Sequence, residues 1–171
     1  MSLFEFSVVA TGLNPTEINF ERRFIDEGID DATISFQRGL IILDFSRESP
    51  SMMMALETAI EAVEATGATV IRIEPDPLVT LSDIAERASL SRAAVSLYAK
   101  GDRSDNFPLP VARVTSESPL WLWAEVAYWL ADRNRISHSM ADDAYAIALM
   151  TTELKADEER QRSISPYRIA G

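Results

Sequence analysis

The sequence predicts an α+β fold made of two domains and a C-terminal helix. Three observations lead to this prediction. Apolar residues within 1–75 recur partly at strand spacing and partly at helical spacing. Two prolines in three positions, Pro75 and Pro77, then mark the clearest boundary in the chain. Beyond it, residues 78–135 contain short helical patterns separated by turns, and residues 136–171 contain one long helical pattern.

Residues 1–75 are predicted to follow the order strand, helix, strand, strand, helix, strand. The strands are expected at 3–10, 32–37, 40–46 and 69–74, and the helices at about 15–27 and 50–66. Asn14 is expected to cap the first helix. Its inward-facing residues are expected to be Ile18, Phe24 and Ile25. This element order is that of a ferredoxin-like βαββαβ sandwich, in which two helices cover one face of four antiparallel strands.

The negative charge of the chain is concentrated in the first domain. The 171 residues carry a formal net charge of −11, of which residues 1–75 contribute −8 and residues 76–135 only −1. We therefore expect the acidic domain 1–75 to serve in dimerisation, sensing or partner binding. The segment 78–135 is nearly neutral, so a basic surface there must come from the arrangement of its charges rather than from an excess of them.

Several classes of function are excluded by what the sequence lacks. There is no cysteine, which rules out a disulfide framework, a zinc finger and a thiolate nucleophile. No phosphate-binding glycine loop and no nucleophile elbow occur, and the acidic groups lack the spacing of a calcium loop. The single histidine, His138, has no partner pattern. We therefore predict no catalytic residue, no cofactor and no metal site, and a protein that is not an enzyme.

The first residues and the hydropathy of the chain bear on its location. The start lacks the basic segment of a signal peptide, and no apolar run approaches the length that spans a bilayer. We expect a cytoplasmic protein without a membrane partner.

Residues 81–98 carry the strongest functional signal. Thr80 is expected to cap a helix that ends near Ala88, with Asp83 closing a capping box. Ser91 is expected to cap a second short helix, which ends at Ala99. Small and apolar residues at the crossing would lock the two helices together and leave the first side chains of the second helix in solvent. A helical hairpin buried in a core is the alternative interpretation.

The segment that follows the helix pair favours a helix-turn-helix over a buried helical hairpin. Phe107-Pro108-Leu109-Pro110 precedes a segment expected to form a hairpin or wing, and the motif Glu125-Val126 with Trp129-Leu130 lies in the next helix. In these motifs, residues 78–133 resemble the excisionase and AlpA-type branch of the MerR-like winged helix-turn-helix regulators. The resemblance implies DNA binding through the helix 91–99 and the wing 107–121. Carried over by position, the DNA-contacting residues are Ser91, Arg92, Ala93, Ser96, Lys100, Arg103 and, on a wing strand, Arg113.

Two departures from that family pattern affect the predicted interface. Ser89 occupies a turn position where glycine is common, so its backbone must avoid positive φ or accept strain. The wing segment 115–118 has no positive charge and contains Glu117. With so few cations in one copy, a specific site is expected to need a homodimer or a partner.

The remaining features are interpreted structurally. The aromatic cluster of Trp121, Trp123, Tyr128 and Trp129 is expected to be core rather than a base-stacking platform. A last helix, from Ser139 to about Gln161, is expected to pack on the fold or to pair with a second copy.

The function predicted from these observations is that of a sequence-specific transcriptional regulator that binds double-stranded DNA as a homodimer. A second interpretation is an antitoxin or adaptor whose acidic domain 1–75 binds a partner protein. The near-neutral middle segment and the uncharged wing favour this second interpretation.

Overall fold

The computed structural model describes residues 1–102 and 104–164 and shows a mixed α+β protein. These residues contain a four-stranded antiparallel sheet and six helices. The chain divides into two compact units. The first comprises residues 1–75 together with residues 149–164, and the second comprises residues 76–148.

The sheet of the first unit has its core on one face. Its strands are β1 (Ser2–Thr11), β2 (Ala32–Gln37), β3 (Leu40–Ser49) and β4 (Thr69–Glu74). Their order is β2-β3-β1-β4, and each neighbouring pair is antiparallel. Opposite residues of β1 and β3, such as Phe6 with Phe45 and Val8 with Leu43, are buried on the core face. The predicted strands at 32–37 and 69–74 are confirmed with the same bounds.

Two helices accompany this sheet, α1 (Phe20–Asp26) and α2 (Met52–Ala65). The hydroxyl of Ser51 caps α2 by accepting a hydrogen bond from the backbone N–H of Met54 at 3.2 Å. The inward face of α2 consists of its buried residues Met52, Ala55, Leu56, Ala59 and Val63. The spacing of these residues is that of one stripe on a helix, so α2 buries its apolar side as its sequence predicts.

The predicted start of the first helix is wrong. Asn14 does not cap a helix; its side chain accepts hydrogen bonds from the backbone N–H and the hydroxyl of Thr16. This local turn competes with helix formation, and α1 begins only at Phe20. Ile18 is fully exposed and Ile25 is also exposed, so both were wrongly placed in the core. Phe24 is buried as predicted.

The second unit is built from short elements. It contains β5 (Leu78–Val79), α3 (Leu81–Arg87), α4 (Arg92–Ala99), β6 (Trp121–Leu122), α5 (Trp123–Ala131) and the first part of α6 (His138–Ile164). Its two strands pair antiparallel, with Leu78 opposite Leu122 and Val79 opposite Trp121. None of the helices in the described residues is long and apolar enough to cross a membrane.

The hairpin predicted within 107–121 is not formed as two strands. Residues 111–120 form a loop that is closed by backbone hydrogen bonds between Ala112 and Leu120 at 2.9 and 3.2 Å. The strand after this loop, β6, pairs instead with β5. Prolines at 108, 110 and 119 have no backbone N–H to donate, which accounts for the short ladder.

The core of the second unit is rich in aromatic side chains. Trp121, Trp123 and Trp129 are buried together with residues of α3, α4, α5 and the start of α6. The predicted core role of these tryptophans is therefore confirmed. Tyr128 is only partly buried, and its hydroxyl donates a hydrogen bond to Asp142 at 2.7 Å.

Shortening a side chain of β3 should destabilise the first unit strongly on the core face of the strand and only weakly on the opposite face. Leu43 is fully buried, so Leu43→Ala should lower the free energy of unfolding of this unit by about 2–5 kcal/mol. Ile42→Ala, on the opposite face of the same strand, is the control and should cost clearly less.

The two units can be followed separately because all three tryptophans lie in the second unit. Urea unfolding should therefore be measured by far-ultraviolet circular dichroism together with tryptophan fluorescence. Equal losses for Leu43→Ala and Ile42→Ala would contradict the assignment of the core face.

Candidate nucleic-acid interface

The start of α3 is fixed by a reciprocal pair of hydrogen bonds. The Asp83 carboxylate accepts from the backbone N–H of Thr80 at 2.7 Å, and the Thr80 hydroxyl accepts from the backbone N–H of Asp83 at 3.2 Å. The predicted capping box is thus confirmed. The hydrogen bonds from the backbone and then the hydroxyl of Thr80, together with the nearby Arg87, hold the pKa of Asp83 below its ordinary value.

The turn between α3 and α4 forces one residue into the left-handed region. Ser89 has a φ of 53°, in the region that favours glycine. Of the two predicted possibilities, the turn therefore has a positive φ, and the backbone of Ser89 is strained. The backbone N–H of Leu90 reaches back to the carbonyl of Ala85 at 2.9 Å, which closes α3.

The N-terminus of α4 is capped and faces solvent. The Ser91 hydroxyl accepts a hydrogen bond from the backbone N–H of Ala94 at 3.1 Å, which confirms the predicted cap. Ser91, Arg92 and Ala93 are exposed, whereas Ser96, one turn later, is partly buried. Val95 is fully buried against the core of the unit. The helix therefore holds its inner side by packing and leaves its first turn free for a ligand.

Arg92 is positioned by a side chain of α3. Its Nη1 donates a hydrogen bond to the hydroxyl of Ser82, and both residues are exposed. This hydrogen bond links α3 and α4 through their side chains, and the guanidinium carries further N–H donors that it does not use. Lys100 is the C-cap residue of α4, roughly 12 Å from Arg92 along the helix axis at 1.5 Å per residue.

The aromatic side chains behind α4 fix its orientation within the second unit. The ring of Trp129 lies 5.1 Å from Tyr98 of α4 and 5.0 Å from Phe107, both in edge-to-face geometry. Arg133 stacks on Trp129 at 3.8 Å and donates to the carbonyl of Asp105. The contacts of Tyr98, Phe107 and Arg133, which link α4, the following loop and α5, are not predictable from the sequence motifs.

The loop in the position of the wing differs from the prediction for Arg113. This residue is exposed and lies in a turn with a φ of 51°, not on a strand. The strand assignment fails because only Ala112 and Leu120 pair across the loop. The segment 107–120, which contains this loop, exposes three apolar side chains, Leu109, Val111 and Val114, which are 79, 50 and 63% accessible.

The exposed cations around α4 are few. Of the four cations predicted to contact DNA, Arg92, Lys100 and Arg113 are exposed, and Arg103 lies outside the described residues. Two further arginines contact aromatic rings, Arg87 over Trp123 at 5.7 Å and Arg133 over Trp129. The described residues contain no cluster of histidine and acidic side chains able to hold a metal ion.

Comparisons with known proteins do not place this chain in a family. No known protein family matches it, and neither a curated protein nor a solved structure is similar to it. The geometry of α3, α4 and the loop 107–120 is therefore the basis for a functional proposal.

The two serines of the turn should respond in opposite directions to substitution. Ser89→Gly should stabilise the second unit by about 0.5–1 kcal/mol, because relief of the left-handed strain of about 1–2 kcal/mol exceeds the entropic cost of glycine. Ser91→Ala should destabilise it by about 1 kcal/mol because the cap is lost. Urea unfolding followed by tryptophan fluorescence measures both, and a loss of stability on Ser89→Gly would refute the strain.

Asp83→Asn should make the free energy of unfolding of the second unit less dependent on pH in the acidic range. The folded-state pKa of Asp83 is lowered, so its contribution to stability is present above the ordinary value of 3.8 and is lost as the pH falls through the lower folded value. The difference in the free energy of unfolding between the wild type and Asp83→Asn should therefore become smaller as the pH falls through this range. Glu86→Gln removes an exposed carboxylate from the same helix and controls for simple loss of charge. A difference that does not change over this range would contradict the capping role of the ionised carboxylate.

Proposed function

We propose that this protein is a cytoplasmic, non-enzymatic transcriptional regulator that binds a specific sequence of double-stranded DNA. The observation that carries the proposal is the geometry of α4. Its N-terminus is capped by Ser91, its first turn is exposed at Arg92 and Ala93, and its inner side is fixed by Val95 and Tyr98. A helix presented in this way fits the reading of a major groove by the first residues of a recognition helix.

The fold proposed for each unit agrees with this function. For the first unit we propose a ferredoxin-like domain, which is supported by the strand order β2-β3-β1-β4 and the two helices. For residues 78–135 we propose a winged helix-turn-helix of the MerR-like excisionase and AlpA type. The α3–α4 pair, the loop 111–120 and the following helix α5 support it.

Each proposed contact has a physical role on the DNA. Arg92 can donate two parallel hydrogen bonds to a guanine edge, or it can neutralise a phosphate. Ala93 is small and allows close approach of the helix, and Ser96 is partly buried at the edge of the contact. Lys100 and Arg113 are exposed and are assigned to phosphates.

Because each chain offers few cations to the DNA, we expect specific binding to need two copies of the chain. Each neutralised phosphate contributes about one unit to the salt dependence of binding, so the three exposed cations assigned to DNA in each copy, Arg92, Lys100 and Arg113, give weak binding on their own. A homodimer on two half-sites doubles these contacts and fixes their spacing at about one helical turn of DNA.

A second candidate function is an antitoxin or adaptor in which the acidic first domain binds a partner protein. Two observations favour it. The open face of the sheet carries Glu5, Asp44 and Glu74 around an exposed depression, with Ser7 hydrogen-bonded to Asp44. The loop 107–120 exposes apolar side chains where a DNA-binding wing presents cations. Under this alternative, DNA affinity would be absent or independent of α4.

Substitution of Arg92 distinguishes the two functions. Bound sequences are first selected from a random DNA pool, and affinity is then measured by fluorescence anisotropy over a range of salt. Arg92→Ala should weaken binding by roughly 1–3 kcal/mol and relax preference at one position if the contact is to a base. It should instead weaken all sequences alike and lower the salt slope by about one unit if the contact is to a phosphate.

The matched control is Arg22→Ala, which removes an exposed arginine of α1 that forms an ion pair with Asp26 on the same helix. This control should leave DNA affinity unchanged. If Arg92→Ala combined with Lys100→Ala leaves both the affinity and the salt slope at their wild-type values, α4 is not the reading helix and the adaptor function is preferred.

A further inference from the structure

The outer edge of β2 is a strand edge without the usual protection. β2 is the terminal strand of the sheet and comprises Ala32–Gln37, with the sequence ATISFQ. It contains no charged residue and no proline, the features with which proteins commonly block edge pairing. The opposite edge differs, because β4 shares a groove with α6 that is lined by Val70, Ile71 and Leu154.

The hydrogen-bonding pattern defines which residues of β2 face outward. The carbonyl of Asp31 accepts from the backbone N–H of Ser46 at 2.9 Å, so residue 31 is in a hydrogen-bonded position towards β3. In an antiparallel pair these positions alternate along the strand. The N–H and C=O groups of Ala32, Ile34 and Phe36 therefore point away from β3, towards the free edge.

We infer that this edge pairs with β2 of a second copy of the chain, antiparallel and centred on Ile34. In this register Ile34 lies opposite Ile34 of the second copy, and Ala32 lies opposite Phe36. Every outward-facing residue of the strand then meets an outward-facing residue and exchanges hydrogen bonds with it. A shift of one residue would place Ile34 opposite an inward-facing residue, and a shift of two would leave Ala32 or Phe36 beyond the end of the other strand.

The side chains and charges agree with this register. Ile34 and Phe36 lie on the core face, opposite Leu43 and Ile41 of β3. Phe36 is 47% exposed, so a second copy would remove apolar surface from water. Just beyond the paired residues, the exposed Arg38 in the turn after β2 of each copy comes near the exposed Asp30 of the other, which brings opposite charges together at both ends of the pair.

This dimer goes beyond the proposed function and does not rest on it, since the edge pairing involves only β2 and its flanking residues. Its failure and the failure of DNA binding are also distinguishable, because the first is measured without DNA. The occupant proposed for the edge is a second copy of this chain and not a strand from another protein.

Cysteine cross-linking tests the register directly. The chain has no cysteine, so a single introduced thiol gives an unambiguous product. Directly opposite residues of an antiparallel hydrogen-bonded pair have Cα atoms about 5.5 Å apart, within the range of a disulfide. Ile34→Cys should therefore form a covalent dimer under mild oxidation of the dilute full-length protein. Ser35→Cys is the matched control and should form far less, because the proposed register does not place it opposite itself.

Sedimentation of the full chain tests whether the edge forms the dimer. The wild type should sediment with the mass of two chains, and Ile34→Lys should dimerise about tenfold or more weakly because like charges would face each other at the centre of the pair. Ser35→Lys controls for the added charge and should dimerise like the wild type, and circular dichroism confirms that each variant is folded. A wild type that sediments as a single chain, an Ile34→Lys dimer of undiminished affinity, or stronger cross-linking of Ser35→Cys than of Ile34→Cys would overturn the proposal.

Discussion

The edge-to-face packing of Trp129 against Tyr98 and Phe107 is the contact on which the second unit depends. It joins α4, the loop after α4 and α5 at one point. The indole N–H of Trp129 donates to the carbonyl of Asp105, and the guanidinium of Arg133 lies over the ring. Such aromatic pairs contribute about 0.5–1.5 kcal/mol beyond the area they bury. Because α4 is held from behind in this way, packing within the second unit fixes the inner side of the helix and leaves its first turn exposed.

Features set by a few adjacent residues were predictable from the sequence. The capping box of Thr80 and Asp83 and the cap at Ser91 depend on side chains within three positions of the groups that they satisfy. The strand at Ala32–Gln37 follows from alternation and the turn that ends it. The burial of Trp121 and Trp129 follows from their size in a small domain. These parts of the fold can be predicted without knowing which distant residues are in contact.

Other features depend on contacts that a linear pattern does not contain. The start of α1 was misplaced because the turn at Asn14 satisfies the same backbone groups that a helix would use. The predicted hairpin is reduced to the pair Ala112 and Leu120, and the strand that follows, β6, pairs with β5, more than forty positions earlier in the chain. At the candidate site, the exposed first turn was predicted, but the hydrogen bond from Arg92 to Ser82 was not. That bond joins two helices, and its geometry is set by the angle at which they cross.

An acidic chain can bind an anionic ligand such as DNA only if its cations act from one defined surface. The most direct test is a two-dimensional amide NMR spectrum of the full chain, titrated with a duplex selected from a random pool. The account predicts the largest shift changes at the backbone amides of residues 91–96, with smaller changes in the loop 111–116. Changes confined to the acidic sheet residues, or none at any ratio of DNA to protein, would contradict the claim that α4 reads DNA.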